Sequence, residues 1–191
     1  KQIRVLPKQE IIAKDVDLVS CPNFRTSGST ETPLDVFLGA KEKISRWLFY
    51  RRFYFANGGK LSDREARITF PRNFVSNQWY HNLGILKIKH ISVFDDTESQ
   101  LEALLEFKPD IIRCYLSGLY NLAMDIKKKG IKGINPRIII PTAELMSEQN
   151  RQFISSVFKA EVITYYASNE CGIIAWECKE HFGYHINIEN V

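Results

Sequence analysis

Between residues 87 and 165, short apolar runs alternate with amphipathic stretches, and this restricts the fold more than anything else in the chain. Lys87 to Phe94 sets Ile88, His90 and Ser92 against Lys89, Ile91 and Val93, the two-residue period of a strand. Asp95-Asp96-Thr97-Glu98 then opens a helix whose buried face is Leu101, Leu104 and Leu105. Asp110 to Cys114 reads as a buried strand, Ser117 to Lys129 as a helix ended by Gly130, and Arg137 to Ile140 as another strand. Ser147 caps a helix running through Phe158, with Asn150 where a capping box would have an acidic residue. Glu161 to Tyr165 follows as a strand. Strands joined by helical crossovers pair in parallel, so the expectation is an α/β fold with a mixed, largely parallel sheet flanked by helices. Gly172 to Trp176 and Tyr184 to Ile188 also read as strands. No helix separates them, which predicts an antiparallel or mixed edge there.

The first third is less regular. Residues 1–25 are irregular, broken by Pro7 and Pro22, and Leu34 to Leu38 is a short strand. Ala40 to Ala56 is expected to be helical, with Ile44, Trp47, Leu48, the Arg51 stem and Phe55 facing inward and Asn57-Gly58-Gly59 as the stop. Ala66 to Phe70 is a strand before Pro71. At 191 residues and 45% hydrophobic, the chain supports one sizeable core or two small ones. A net charge of +4 is too mild for a nucleic-acid binder, and Lys127, Lys128 and Lys129 suit the C-terminal end of a helix dipole. No apolar run reaches the length of a membrane span. Cys21, Cys114, Cys171 and Cys178 form no dense framework, so reduced thiols and a cytoplasmic location are expected.

TSGSTETPL, residues 26–34, sets hydroxyls and a glycine between a Cys-Pro turn and an apolar run. Small residues let backbone N–H groups approach an anion and Ser and Thr add donors, so a phosphate is the natural guest; a hydrogen-bonded turn without ligand is the plainer alternative. Glu31 sets a carboxylate in the same loop. Five segments in order then resemble the adenylate-forming superfamily, in the branch of phenylacetate–CoA ligases and CapK-type proteins. They are LPKQEI at 6–11, the loop at 26–34, PTAELMSEQNRQFISSVF at 141–158, YYASNECGIIAWEC at 165–178 and FGYHINIEN at 182–190. The resemblance implies a partial adenylation domain over residues 1–191, the middle of such an enzyme's large domain. Its small C-terminal lid would be absent from the chain or supplied by a separate one.

What the resemblance implies can be carried over residue by residue. Thr26, Ser27, Gly28, Ser29, Thr30 and Thr32 would cradle ATP phosphates. Glu31 stands where the family has Gly, and a like charge at ~4 Å repels by about 1 kcal/mol in water, so triphosphate binding is expected to be weakened. Tyr166 would stack on adenine, or pack as a core aromatic. Ala167 and Asn169 replace the family's Gly and Thr in the same box, and Ser168 would lie near the α-phosphate. Glu170 would hold Mg²⁺, and Ala143 and Glu144 would wall the adenine pocket. Cys178 and His185 match two ligands of a structural Zn²⁺; a buried thiol and a strand-end imidazole are the alternative. Trp79, Tyr80 and His81 match a region that in the family approaches the acyl pocket; core aromatics and a loop histidine are the preferred reading. The implied reaction converts a small carboxylic acid and ATP into an acyl-adenylate and pyrophosphate, commonly followed by thioester formation with CoA. The alternative is a catalytically degenerate or incomplete CapK-like module that binds a nucleotide or a partner. Open strand edges would also permit a homo-oligomer.

Overall fold

The structure, a computed structural model, describes Cys21, residues 23–25 and residues 35–190. In chain order these form β1 (Asn23–Arg25), β2 (Asp35–Phe37), α1 (Ala40–Ala56), β3 (Arg64–Thr69), β4 (Lys87–Ser92), α2 (Thr97–Phe107), β5 (Ile111–Tyr115) and α3 (Leu116–Lys129). There follow β6 (Ile138–Thr142), α4 (Glu148–Phe158), β7 (Glu161–Val162), β8 (Tyr165–Ser168), β9 (Gly172–Trp176) and β10 (His185–Ile186). Two compact units divide the chain. One holds the described residues up to Phe53 with Tyr166–Trp176 and the described residues from Ile186; the other holds Tyr54–Tyr165 and Glu177–His185.

The second unit is built on a five-stranded sheet of order β4-β3-β5-β6-β7 in which every pair is parallel. This is the α/β architecture that the alternation over residues 87–165 dictates. One face carries Ala66, Ile68, Ile91, Ile112, Cys114, Ile139 and Val162 into a core with Leu101, Leu104, Leu119, Leu122, Ile154 and Phe158. Burial of each large aliphatic or aromatic chain there stabilises the unit by about 1.5–3 kcal/mol. The register puts Glu65, Arg67, Ile88, His90, Ile111, Arg113, Ile138 and Ile140 on the opposite face. There the buried Arg67 guanidinium donates to both Glu65 oxygens at 2.6 and 2.9 Å, and Arg113 approaches the same carboxylate at 3.5 Å. Asp63, at the entry to β3, accepts from the Tyr54 hydroxyl, the Lys60 N–H and Arg137, tying the turn to the start of β6.

The caps follow from side-chain chemistry. Asp96 accepts from the Ser99 N–H at 2.9 Å and Ser147 from the Asn150 N–H at 3.2 Å, each satisfying a free donor in a first helical turn. All three helices of this unit end on a left-handed residue. Gly130 takes that conformation without strain, whereas Lys108 (φ 49°) and Lys159 (φ 53°) carry a Cβ against it. Lys108→Gly is therefore expected to stabilise the fold by about 1 kcal/mol, read as a higher urea midpoint at unchanged slope.

In the first unit, β1 and β2 form an antiparallel pair, and β10-β9-β8 form a three-stranded sheet. The last strands are thus a sheet of their own and not an edge of the parallel one. The stretch expected as one strand over Glu161–Tyr165 is divided into β7 and the start of β8. Ile163 still donates to the Ile139 carbonyl of β6, but the Thr164 N–H turns to the Glu177 carboxylate at 3.2 Å, which ends the ladder. Helix α1 has the expected bounds and a different inner face. Phe49, Phe53 and Tyr54 are buried beside Arg51, while Ile44, Trp47, Leu48 and Phe55 are exposed. Apolar residues lie all round this helix, so spacing alone does not select the buried side.

Candidate functional site

The carboxyl end of β6 leads directly into the segment expected to wall an adenine pocket. The Thr142 hydroxyl donates to the Cys114 carbonyl of β5 at 3.2 Å, holding the strand end in place. Ala143 follows in a left-handed conformation (φ 67°), a region an alanine enters at a cost of about 1–2 kcal/mol. Such strain clusters where a backbone must be turned for a purpose. It delivers Glu144 to the start of α3, where one carboxylate oxygen accepts from the Ser117 hydroxyl at 2.7 Å and the Ser117 N–H at 3.3 Å. No side chain of the N-cap residue Tyr115 does this work. Glu144 thus supplies an acceptor and a favourable charge at the helix N-terminus. Ala143 and Glu144 are both exposed.

The YASNE segment lies in the first unit, at the β8–β9 turn. Tyr166, Ala167, Asn169 and Glu170 are all exposed, Tyr166 at 64%. The Ser168 hydroxyl accepts from the Cys171 N–H at 3.0 Å and closes the turn. Arg46 of α1 braces it, donating to the carbonyls of Asn169 and Glu170 at 2.7 and 2.6 Å. Gly172 (φ 74°) admits that arginine, because a Cβ there would stand 3.0 Å from the Arg46 Cγ. Burial lowers the Arg46 pKa, with Cys171, Glu170 and Glu42 opposing. The two carbonyls are therefore committed, while the Tyr166 ring and the Asn169 and Glu170 side chains face solvent. Nothing in the local sequence marks Arg46; its partners lie more than a hundred residues away.

Residues 177–185 carry a second cluster. The buried Glu177 carboxylate receives both its oxygens' contacts from Arg151 at 3.0 Å and accepts from the Thr164 N–H and hydroxyl. His181 bridges Glu177 at 3.1 Å and Glu161 at 2.5 Å. Burial alone would lower the His181 pKa, but the hydrogen bonds to Glu161 and Glu177 outweigh it and raise it. Cys178 is half-buried and His185 exposed. Among the described residues no three His, Cys, Asp or Glu side chains converge on a metal position, so the closed four-ligand shell of zinc is not met. Mg²⁺ makes a lesser demand, one or two carboxylates plus phosphate oxygens, which the solvent-facing Glu170 can satisfy. The loop residues Thr26, Ser27, Gly28, Ser29, Thr30 and Thr32 lie outside the described residues, as does Glu31. Trp79 is exposed and His81 buried, at a 3-10 turn in the segment before β4. No helix among the described residues is long and apolar enough to cross a membrane.

Comparison with known proteins places the fold. No protein-family model matches the sequence, and no curated protein sequence does. Solved structures do match. A 2-hydroxyisobutyryl-CoA ligase in an open conformation, in complex with 2-HIB-AMP and CoA, superposes with a TM-score of 0.69 over 88% of this chain and 39% of its own, at 12% identity. VinN in complex with L-aspartate gives 0.59 over 88% and 43%, at 17% identity. The luciferase-like enzyme of the nonluminescent mealworm Zophobas morio gives 0.57 over 84% and 37%, at 16% identity. The chain has the fold of adenylate-forming enzymes and spans about two-fifths of the length of these structures.

Proposed function

We propose that this chain supplies the nucleotide-binding part of an enzyme that activates a small carboxylic acid with ATP, giving an acyl-adenylate and pyrophosphate, with transfer to CoA as the following step. The observation that carries the reading is the turn from Tyr166 to Glu170, exposed at Tyr166, Ala167, Asn169 and Glu170 and bonded at its last two carbonyls by Arg46, on a chain of this fold. A solvent-facing tyrosine at a strand end offers a flat surface for adenine. Asn169 offers a donor and an acceptor, and Ser168 a hydroxyl for the α-phosphate. Glu170 would hold Mg²⁺, which when bound neutralises phosphate charge. Loop residues 26–30 and Thr32 would position the phosphates through backbone and hydroxyl donors. Ala143 and Glu144 would bound the base. The chemistry asked of the protein is positioning and charge stabilisation, since the substrate carboxylate is itself the nucleophile. Within the superfamily, the motifs favour the phenylacetate–CoA ligase and CapK-like branch.

Calorimetric titration with AMP and with ATP–Mg²⁺ tests this. Saturable AMP binding is expected, reduced by about tenfold in Tyr166→Ala, the loss of one stacking contact. Glu31→Gly is expected to tighten ATP and leave AMP little changed. AMP binding that Tyr166→Ala leaves intact would remove the adenine assignment, and no nucleotide binding by a folded protein would remove the reading as a whole.

A further inference from the structure

At the β8–β9 turn a single arginine nitrogen meets two successive peptide groups. Arg46 Nη2 donates to the Asn169 carbonyl at 2.7 Å and to the Glu170 carbonyl at 2.6 Å. In an extended strand successive carbonyls point to opposite sides, so two that converge on one atom turn both peptides the same way. No peptide bond is cis among the described residues, and in a planar trans peptide the N–H points opposite to the C=O. The N–H groups of Glu170 and Cys171 are therefore directed away from Arg46. The Cys171 N–H is taken up by the Ser168 hydroxyl at 3.0 Å, and Glu170 is exposed. Successive N–H groups turned to one side are a donor set suited to an anion. Rotation of either peptide would reverse this, setting a carbonyl oxygen and its partial negative charge where the N–H had been. The local sequence does little to prevent it. Asn169 tolerates left-handed backbone better than most residues, and Gly172 (φ 74°) closes the turn with no side chain. The restraint comes from α1, more than a hundred residues away in the chain.

We propose that Arg46 is a positioning residue of the nucleotide site: it holds the Asn169–Glu170 and Glu170–Cys171 peptides with their N–H groups, and not their carbonyls, toward the nucleotide phosphates. The inference rests on the reading that nucleotide binds at this turn.

The test is calorimetric titration of adenosine, AMP and ATP–Mg²⁺ into wild type, Arg46→Ala and Tyr166→Ala. Alanine is a strong helix former, so α1 is kept in the first variant. Arg46→Ala is expected to weaken AMP and ATP–Mg²⁺ by about tenfold and to leave adenosine within about twofold, because the Tyr166 ring is untouched. Tyr166→Ala should weaken all three alike. Methylguanidinium, entering the space vacated by the side chain, is expected to restore AMP affinity in Arg46→Ala and to have no effect in Tyr166→Ala. Without nucleotide, the Glu170 amide resonance should move in Arg46→Ala and return on addition of methylguanidinium. Should Arg46→Ala not fold, Arg46→Lys carries the same comparison: its shorter side chain is expected to weaken AMP several-fold more than adenosine. Wild-type affinity for AMP in a folded variant, loss of adenosine in the same proportion as AMP, or no response to methylguanidinium would overturn the positioning role while leaving nucleotide binding in place. Failure of wild type to bind any of the three would remove both readings together.

Discussion

Glu65→Leu is expected to destabilise the protein by about 3–5 kcal/mol, the range for removing one partner of a buried ion pair. Glu65 is 3% exposed and Arg67 8%, and the Arg67 fork meets the carboxylate with two hydrogen bonds. The leucine takes away the carboxylate that Arg67 holds and Arg113 approaches at 3.5 Å, while both guanidiniums stay on the sheet. The companion experiment is the double replacement Glu65→Leu with Arg67→Met. It is expected to recover much of the loss, because an apolar pair of similar volume avoids the desolvation of two charges. Urea midpoints at constant slope measure both. A single variant within ~1 kcal/mol of wild type would show that the ion pair contributes little to this sheet.

Glu177→Leu should cost a similar amount, about 3 kcal/mol or more, by a different route. It strips Arg151 of its bidentate partner and leaves the buried Thr164 N–H without the oxygen at 3.2 Å that it donates to. The same cluster makes stability depend on pH in both directions. Burial raises the Glu177 pKa, yet His181 and Arg151 together hold it below the usual carboxylate range. Its contribution is present above that range and fades as pH falls through the folded value. His181 has its pKa raised, so its contribution is full below the ordinary histidine range and is lost as pH rises through the folded value. Wild-type stability is expected to be greatest between the two. In Glu177→Gln the acid-side loss should disappear and the alkaline-side loss should shrink to what Glu161 alone supports. Denaturant midpoints from acid to mildly alkaline pH read this directly; an unchanged profile in that variant would show that the cluster is not linked to folding.

Much of the parallel sheet is legible in the sequence, because its signals are local. Asp96 and Ser147 cap where hydroxyl and carboxylate caps are expected, Gly130 ends α3, and the core face of β5 and β6 reads from Ile112, Cys114 and Ile139. Legibility fails where partners are distant. The break after Val162 depends on the Glu177 carboxylate, thirteen residues beyond the Thr164 N–H that turns to it, and no period within the strand encodes it. On α1, Trp47 and Leu48 compete with Phe49 and Phe53 for the inner side, and composition does not decide between them. The candidate site divides along the same line. The YASNE box and the β6 end are readable as motifs, whereas Arg46 beneath the turn and the Glu144 cap on α3 are products of the assembled fold. The buried charges of β3 contradict the usual reading of a central strand as wholly apolar.

The sheet order also has a kinetic meaning. Ile111 meets Ile138, and Ile138 meets Glu161, each across a single helical crossover. Glu65 meets Ile111 only after the chain has passed through β4 and α2, and β3 is then clasped between two strands that both follow it in the sequence. Neighbouring strands can therefore pair across single connections, β3 with β4 included, while the pairing of β3 with β5 has the longest loop in the sheet to close. On this ground the joining of β3 to β5 is expected to be the late step of sheet assembly, and with it the approach of Arg113 to the Glu65 carboxylate.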